Sequence, residues 1–161
     1  MRWIDEGFRE DPGHYILQTL LAFVVIAAIA WVMLQLTSEI VTAALGATAF
    51  IVFAMPKHDT AQPRNVVGGH AICIGIGLLA SLVVDYASLS HLPQALLIAV
   101  VASVAIFSMV ITNTEHPPAA GNALAFAIAP TAPWVGLIAL GVVVILSLVR
   151  LSLVRWLRDL V

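Results

Sequence analysis

Two short segments carry most of the residues in this chain that could do chemistry. The first runs Pro56-Lys57-His58-Asp59-Thr60-Ala61-Gln62-Pro63-Arg64-Asn65-Val66-Val67-Gly68-Gly69-His70. The second runs Asn113-Thr114-Glu115-His116-Pro117-Pro118-Ala119-Ala120-Gly121-Asn122. Each reads as a polar turn, then a Gln-Pro or His-Pro pair, then glycine in the first turns of a new helix. The first N–H groups of a helix lack internal partners, and the helix dipole adds about half a positive charge there. Pro117 fixes φ at a helix start without wasting a donor and pushes His116 toward an extended backbone, with Pro118 beside it. Gly68, Gly69 and Gly121 would let a ligand approach the backbone. Arg64, Asn65, His70, Asn113, His116 and Asn122 add donors. Two such starts facing each other predict a small electropositive vestibule that binds an anion.

Each of these residues also has a plainer reading. Arg64 can hold its loop to lipid phosphate, and Glu115 can pair with Arg64. Lys57, His58 and Asp59 read as a solvated turn. His116 can cap its own helix or bond a neighbouring carbonyl. Asn122 can be interhelical glue. His70 falls about one turn inside an apolar helix, where an ionisable residue points to function.

The elements that position these residues are membrane helices. The chain of 161 residues is 61% apolar and 10% charged, with mean hydropathy +1.05, against roughly 25% charged for a soluble domain. Crossing the hydrocarbon as a helix takes about 20 apolar residues. The apolar runs are Tyr15–Leu36, Ile40–Met55, Val66–Val84, Gln94–Thr112, Ala119–Ala129 and Trp134–Val149. The second run is short and can borrow residues 37–39; the fifth is shorter still. Pro12, Pro56, Pro63, Pro93, Pro117, Pro118, Pro130 and Pro133 all fall at or between the edges of the runs, as suits a residue that starts or follows helices. The fold class is therefore all-α: a polytopic transmembrane bundle of about six helices with a short fifth. The alternative is four or five spans plus a re-entrant half-helix over residues 117–130.

Basic residues set the direction. Arg2 and Arg9 lie in the N-terminal tail (residues 1–14), Lys57 and Arg64 in the loop after the second run, and Arg150, Arg155 and Arg158 in a basic tail (residues 150–161) that follows a bundle over 15–149. The positive-inside bias puts all three groups in the cytoplasm, with the tail arginines near lipid phosphate. The first run is too long for a signal peptide, so it stays as a helix. Small residues recur four apart at Ala43/Ala47, Ala71/Gly75, Gly77/Ser81 and Ala123/Ala127, a spacing that allows close helix approach. A net charge of −2 without a basic patch excludes nucleic acid as a partner. The lone Cys73 reads as a buried packing residue. No metalloprotease pattern, paired carboxylates or nucleophilic serine motif appears, so the expectation is a protein that is not an enzyme and holds no metal or cofactor.

The segment Glu115-His116-Pro117-Pro118-Ala119-Ala120-Gly121-Asn122-Ala123-Leu124 resembles the HPP family of small integral membrane proteins. Leu45-Gly46-Ala47-Thr48-Ala49, Phe53-Ala54-Met55-Pro56 and Ala61 to His70 are similar to that family in the same order. The resemblance covers about residues 39–140. It implies a transporter; family members are usually described as having four helices, and some plastid and cyanobacterial relatives look like nitrite transporters. Nothing before Tyr15 looks like a transit peptide, which points to a bacterial inner membrane. The functional expectation is a transporter or channel for a small inorganic anion such as nitrite, with both termini cytoplasmic. Short helices leave little room for a private pore, so a homodimer or higher homo-oligomer is expected in the bilayer. The alternative is a non-transporting membrane subunit or assembly factor.

Overall fold

The computed structural model describes residues 5–36, 39–129 and 132–161; Arg2, Pro130 and residues 37–38 lie outside them. Seven α-helices, two 3-10 turns and no strand occur among the described residues: α1 Glu6–Glu10, α2 Pro12–Met33, α3 Glu39–Ala54, α4 Pro63–Val83, α5 His91–Thr112, α6 Pro117–Ile128 and α7 Pro133–Leu153. Proline opens α2, α4, α6 and α7. At that position its missing N–H is one no helix would use, and its φ is already helical. Asn113 ends α5 at φ 55°, ψ 51°. With Thr114 N–H donating to Met109 O at 2.9 Å, this left-handed cap turns the chain sharply back toward the bundle.

Four helices, α2, α4, α5 and α7, are long and apolar enough to cross a membrane, with 21 or 22 residues each. α3 has 16 residues and α6 has 12. The six expected runs each became a helix, and the short fifth is α6. At about 1.5 Å per residue α6 is only ~18 Å long. It packs against α4, α3 and α5 and buries Ala119, Asn122, Ala123, Ala125, Phe126 and Ala127 among them. His116, just before it, bonds the Asp59–Ala61 turn, while Ala127, Ile128 and Ala129 at its far end line a hollow with residues 81–87. α6 thus runs from one end of the bundle toward the other, largely covered by its neighbours, and protein packing rather than length holds a short helix there.

The chain's two ends share one end of the bundle. Gln18 donates to Phe53 O and to Arg158 O, the latter at 2.8 Å. Leu160 N–H donates to Ala54 O at 2.8 Å, and the Lys57 amide donates to Asp159 Oδ1 at 3.0 Å. Arg158 pairs with Asp11 at 3.0 Å. The α3–α4 loop and the α5–α6 turn lie at this same end, and the Asp85–Ser90 connection at the other.

The structure departs from expectation at Arg150 and along the small-residue seams. Arg150 is not in a tail near lipid phosphate. α7 continues to Leu153, and Arg150 is buried with Nε and Nη2 both donating to Pro56 O, at 2.8 and 2.7 Å. A carbonyl released by the chain turn after α3 gives the guanidinium a partner inside the protein. The small-residue spacing holds only on one seam. Ala123, Ala127 and Gly77 are buried where α6 meets α4, whereas Ala43, Ala47, Ala71 and Ser81 are exposed and no atom lies within 4 Å of a Cβ placed on Gly75.

Candidate functional site

α3, α4 and α6 meet around two imidazoles. His70 comes from the second turn of α4, His116 from the residue before α6, and their ring centroids are 5.2 Å apart. Thr48 of α3 lies between them. Its Oγ1 is 2.8 Å from His70 Nε2 and 3.1 Å from His116 Nε2. On the far side of His70, Asn122 Nδ2 lies 2.9 Å from Nδ1. On the far side of His116, Nδ1 lies 2.8 Å from Thr60 O. The result is a continuous line from Asn122 through His70, Thr48 and His116 to the Asp59–Ala61 turn. Thr48, His70, His116 and Asn122 are each 0% exposed. Asn122 Oδ1 has no hydrogen-bond partner among the described residues. Burying a polar group without a partner costs about 1–3 kcal/mol, so this orphan oxygen marks a position where a polar guest or a rotated amide would be welcome.

Helix packing sets this geometry. Gly68 and Gly69 do not lie open to a ligand, as expected from sequence; they are filled by the chain itself. A Cβ on Gly68 would fall 2.8 Å from Thr114 Cγ2, and one on Gly69 would fall 2.9 Å from Thr114 O and 3.0 Å from His116 Cβ. Their missing side chains let the α5–α6 turn, thrown back by Asn113, press His116 against α4. Gly121 likewise faces Ala44 of α3, at 3.2 Å. The glycines serve close approach of helices, and through it the Thr48 bridge.

Beside the line is a polar vestibule of about 500 Å³, lined by Asp59, Thr60, Gln62, Arg64, Asn65, Asn113 and Glu115. Arg64 Nη2 donates to Thr112 O at 3.0 Å and Asn65 Nδ2 to Glu115 O at 3.3 Å, tying the two junctions together. Gln62 Nε2 donates to Asp59 Oδ1 at 3.0 Å. Arg64 and Glu115 make no ion pair among the described residues; Arg64 uses a backbone carbonyl instead. Pro117 is exposed and Pro118 half-buried, both shaping the start of α6.

The junctions come together as expected, but the side chains that line the vestibule do not give it a net positive charge. Its acidic and basic side chains are Asp59 and Glu115 against Arg64. The sequence reading overlooked Thr48 and Thr60. The first looks like any threonine in an apolar helix, and the second contributes only its carbonyl. Asp59, read as a solvated turn residue, is exposed and also lines the vestibule. Among the described residues no group of three or more His, Cys, Asp or Glu is placed to hold a metal ion.

Comparison with known proteins adds the family. The model of the family described as "HPP, transmembrane region" matches residues 9–159. Two Dictyostelium discoideum proteins are similar. Transmembrane protein DDB_G0269096 is 33% identical over 86 residues, 53% of this chain and 29% of that protein. Transmembrane protein DDB_G0273707/DDB_G0273361 is 27% identical over 128 residues, 79% of this chain and 40% of that protein. The chain thus spans well under half the length of either relative. No solved structure matches.

Proposed function

This chain belongs to the HPP transmembrane family, and from that premise we propose that it is a multi-pass transporter or channel for a small inorganic anion, nitrite being the first to test. The observation that carries this reading is the buried line Asn122–His70–Thr48–His116 ending at Thr60, a residue of the vestibule wall. A helical bundle in lipid needs no polar core, and ionisable groups at such depth mark pathways far more often than packing. The vestibule supplies Arg64 and Asn65 at the start of α4, the kind of helix start that transporters aim at anions. Its site residues are Arg64, Asn65, His70, Asn113, Glu115, His116 and Asn122, with Gly68, Gly69, Pro117, Pro118 and Gly121 holding the helices in place. Lys57, Arg64, Arg155 and Arg158 favour a cytoplasmic vestibule, with both termini on that side of a bacterial inner membrane. The apolar outer faces of α2 and α5 suit a homodimer in the bilayer.

The test is nitrite uptake by vesicles holding the purified protein. Arg64→Ala and His116→Ala should each slow uptake by about tenfold or more, equivalent to ~1.4 kcal/mol of barrier. Uptake by both variants at the wild-type rate rules these residues out as the site. A non-transporting subunit is the second reading, favoured by the closed core beyond Asn122, where Ala123, Ala125 and Phe126 are all 0% exposed. Co-purification with a fixed larger partner supports it; uptake by this protein alone ends it.

A further inference from the structure

We propose that the His70–Thr48–His116 line takes up one proton with each anion that enters the vestibule, so that the two move together; this deepens the transport reading and rests on it. Thr60 O can only accept, so His116 Nδ1 must carry a hydrogen. With the ring neutral, its Nε2 is bare and accepts the Thr48 hydroxyl proton. Thr48 Oγ1 then accepts from His70 Nε2–H, and His70 Nδ1 accepts from Asn122 Nδ2. Both rings are neutral and each of these bonds has a donor and an acceptor.

The same heavy atoms hold a second state. Thr48 Oγ1 also lies 3.0 Å from Ala44 O, one turn back on α3. When the hydroxyl proton turns to that carbonyl, both Oγ1 lone pairs face the histidines. His116 Nε2 then holds an added proton and donates it to Oγ1, while His70 and Asn122 keep their roles. One proton is stored by the rotation of one O–H. The new bond is N–H, formed with the Nε2 lone pair; the proton comes from vestibule water, no electron moves, and release returns it to water.

Charge couples this state to the anion. Acidic side chains outnumber basic ones by one in the vestibule lining, Asp59 and Glu115 against Arg64, so the pull of Arg64 and the α4 start on an anion is partly offset and an added proton strengthens it. A buried imidazolium alone is costly. Proton and anion each favour the other across Thr60, which is both vestibule wall and the acceptor of His116. By linkage, whatever the anion does to proton affinity, the proton does equally to anion affinity. The groups packed about the pair are Thr48 from α3, Asn122 from α6, Thr60 from the 3-10 turn, and Thr114 beside Gly69. Cys73 follows on α4, and the charged groups are the three of the vestibule. Among the described residues no charged side chain bonds either ring.

The experiment places the full chain in vesicles with an internal pH dye and an inward nitrite gradient, against protein-free vesicles. One proton should enter per nitrite. Thr48→Val, which keeps shape and removes the hydroxyl, should cut coupled entry at least about tenfold, and Thr48→Ser should retain it. Nitrite entry without acidification, or Thr48→Val equal to wild type, overturns the inference and leaves anion transport standing. If nitrite does not enter at all, a potassium–valinomycin potential drives protons alone. Proton entry abolished by Thr48→Val then keeps the relay and sinks the anion reading; no proton entry overturns both. Should Thr48→Val fail to fold, nitrogen-15 spectra of wild-type histidine decide. His116 should be an Nδ1–H neutral ring without nitrite and gain a second proton with it, and an unchanged ring refutes the coupling.

Discussion

Gly77 and Gly75 stand two residues apart on α4, and replacing each by alanine should have opposite effects. A Cβ on Gly77 would fall 2.8 Å from Phe126 Cβ and 3.1 Å from the Ala123 carbonyl carbon, and would press on the Ala123 oxygen as well. Carbon atoms pack best at about 3.5–4.0 Å, so the seam is short by up to ~1 Å. The obstruction is largely backbone, which cannot swing aside as a side chain can. α6 must therefore move, yet α3 and α5 wall it on its other sides. Overpacking of this kind costs about 1–3 kcal/mol, against a gain of up to ~1 kcal/mol from replacing a helical glycine. The net expectation for Gly77→Ala is a loss of ~1–2 kcal/mol. At Gly75 nothing lies within 4 Å, so only the propensity gain applies and Gly75→Ala should be neutral or stabilising. The assay is the temperature at which the purified protein loses its monodisperse chromatographic peak. At about 2–4 °C per kcal/mol for a chain of this size, Gly77→Ala should fall by about 2–8 °C. Gly77→Ala as stable as Gly75→Ala would refute the view that the α4–α6 seam has no slack. Since Asn122 directly precedes Ala123, the same displacement should also stretch the Asn122–His70 contact of 2.9 Å and slow any transport.

Two further outcomes follow from the bundle. Arg150→Met should lower stability by about 2 kcal/mol, because it strips Pro56 O of two charge-assisted donors; an unchanged thermal midpoint would mean the buried guanidinium is idle. In a Cys73→Ser background, a membrane-impermeant maleimide should modify Asn113→Cys and Asp159→Cys from one side of the membrane and Asp85→Cys from the other. Labelling of Asn113→Cys and Asp159→Cys from opposite sides would break the shared end on which the vestibule depends.

Much of this architecture was legible in the sequence because lipid imposes simple demands. Prolines mark where a backbone can afford to lose a hydrogen bond, so Pro12, Pro63, Pro117 and Pro133 gave the helix starts directly. The two polar junctions stood out because charge and glycine are conspicuous in an apolar chain, and they do meet. What stayed hidden was relational. Thr48 has an acceptor within its own helix, Ala44 O, so nothing in its sequence surroundings announces a bridge between two histidines from other helices. Arg150 looked like a tail residue because its partner, Pro56 O, is a backbone atom that no side-chain pattern reveals. The glycines were noticed for the right property, the absence of a Cβ, but a neighbouring helix exploits it as readily as a ligand. Whether a four-residue spacing of small side chains faces protein or lipid depends on which way the helix turns, and the spacing alone is the same in both cases.

Gln18 has a consequence for the order in which the bundle can close. Its amide grips Phe53 O and, 140 residues further along the chain, Arg158. α2 can dock on α3 as soon as both are made, but the second half of its clasp exists only after α7 has followed. Insertion must therefore tolerate a loosely moored α2 until the segment beyond α7 comes back to fasten it.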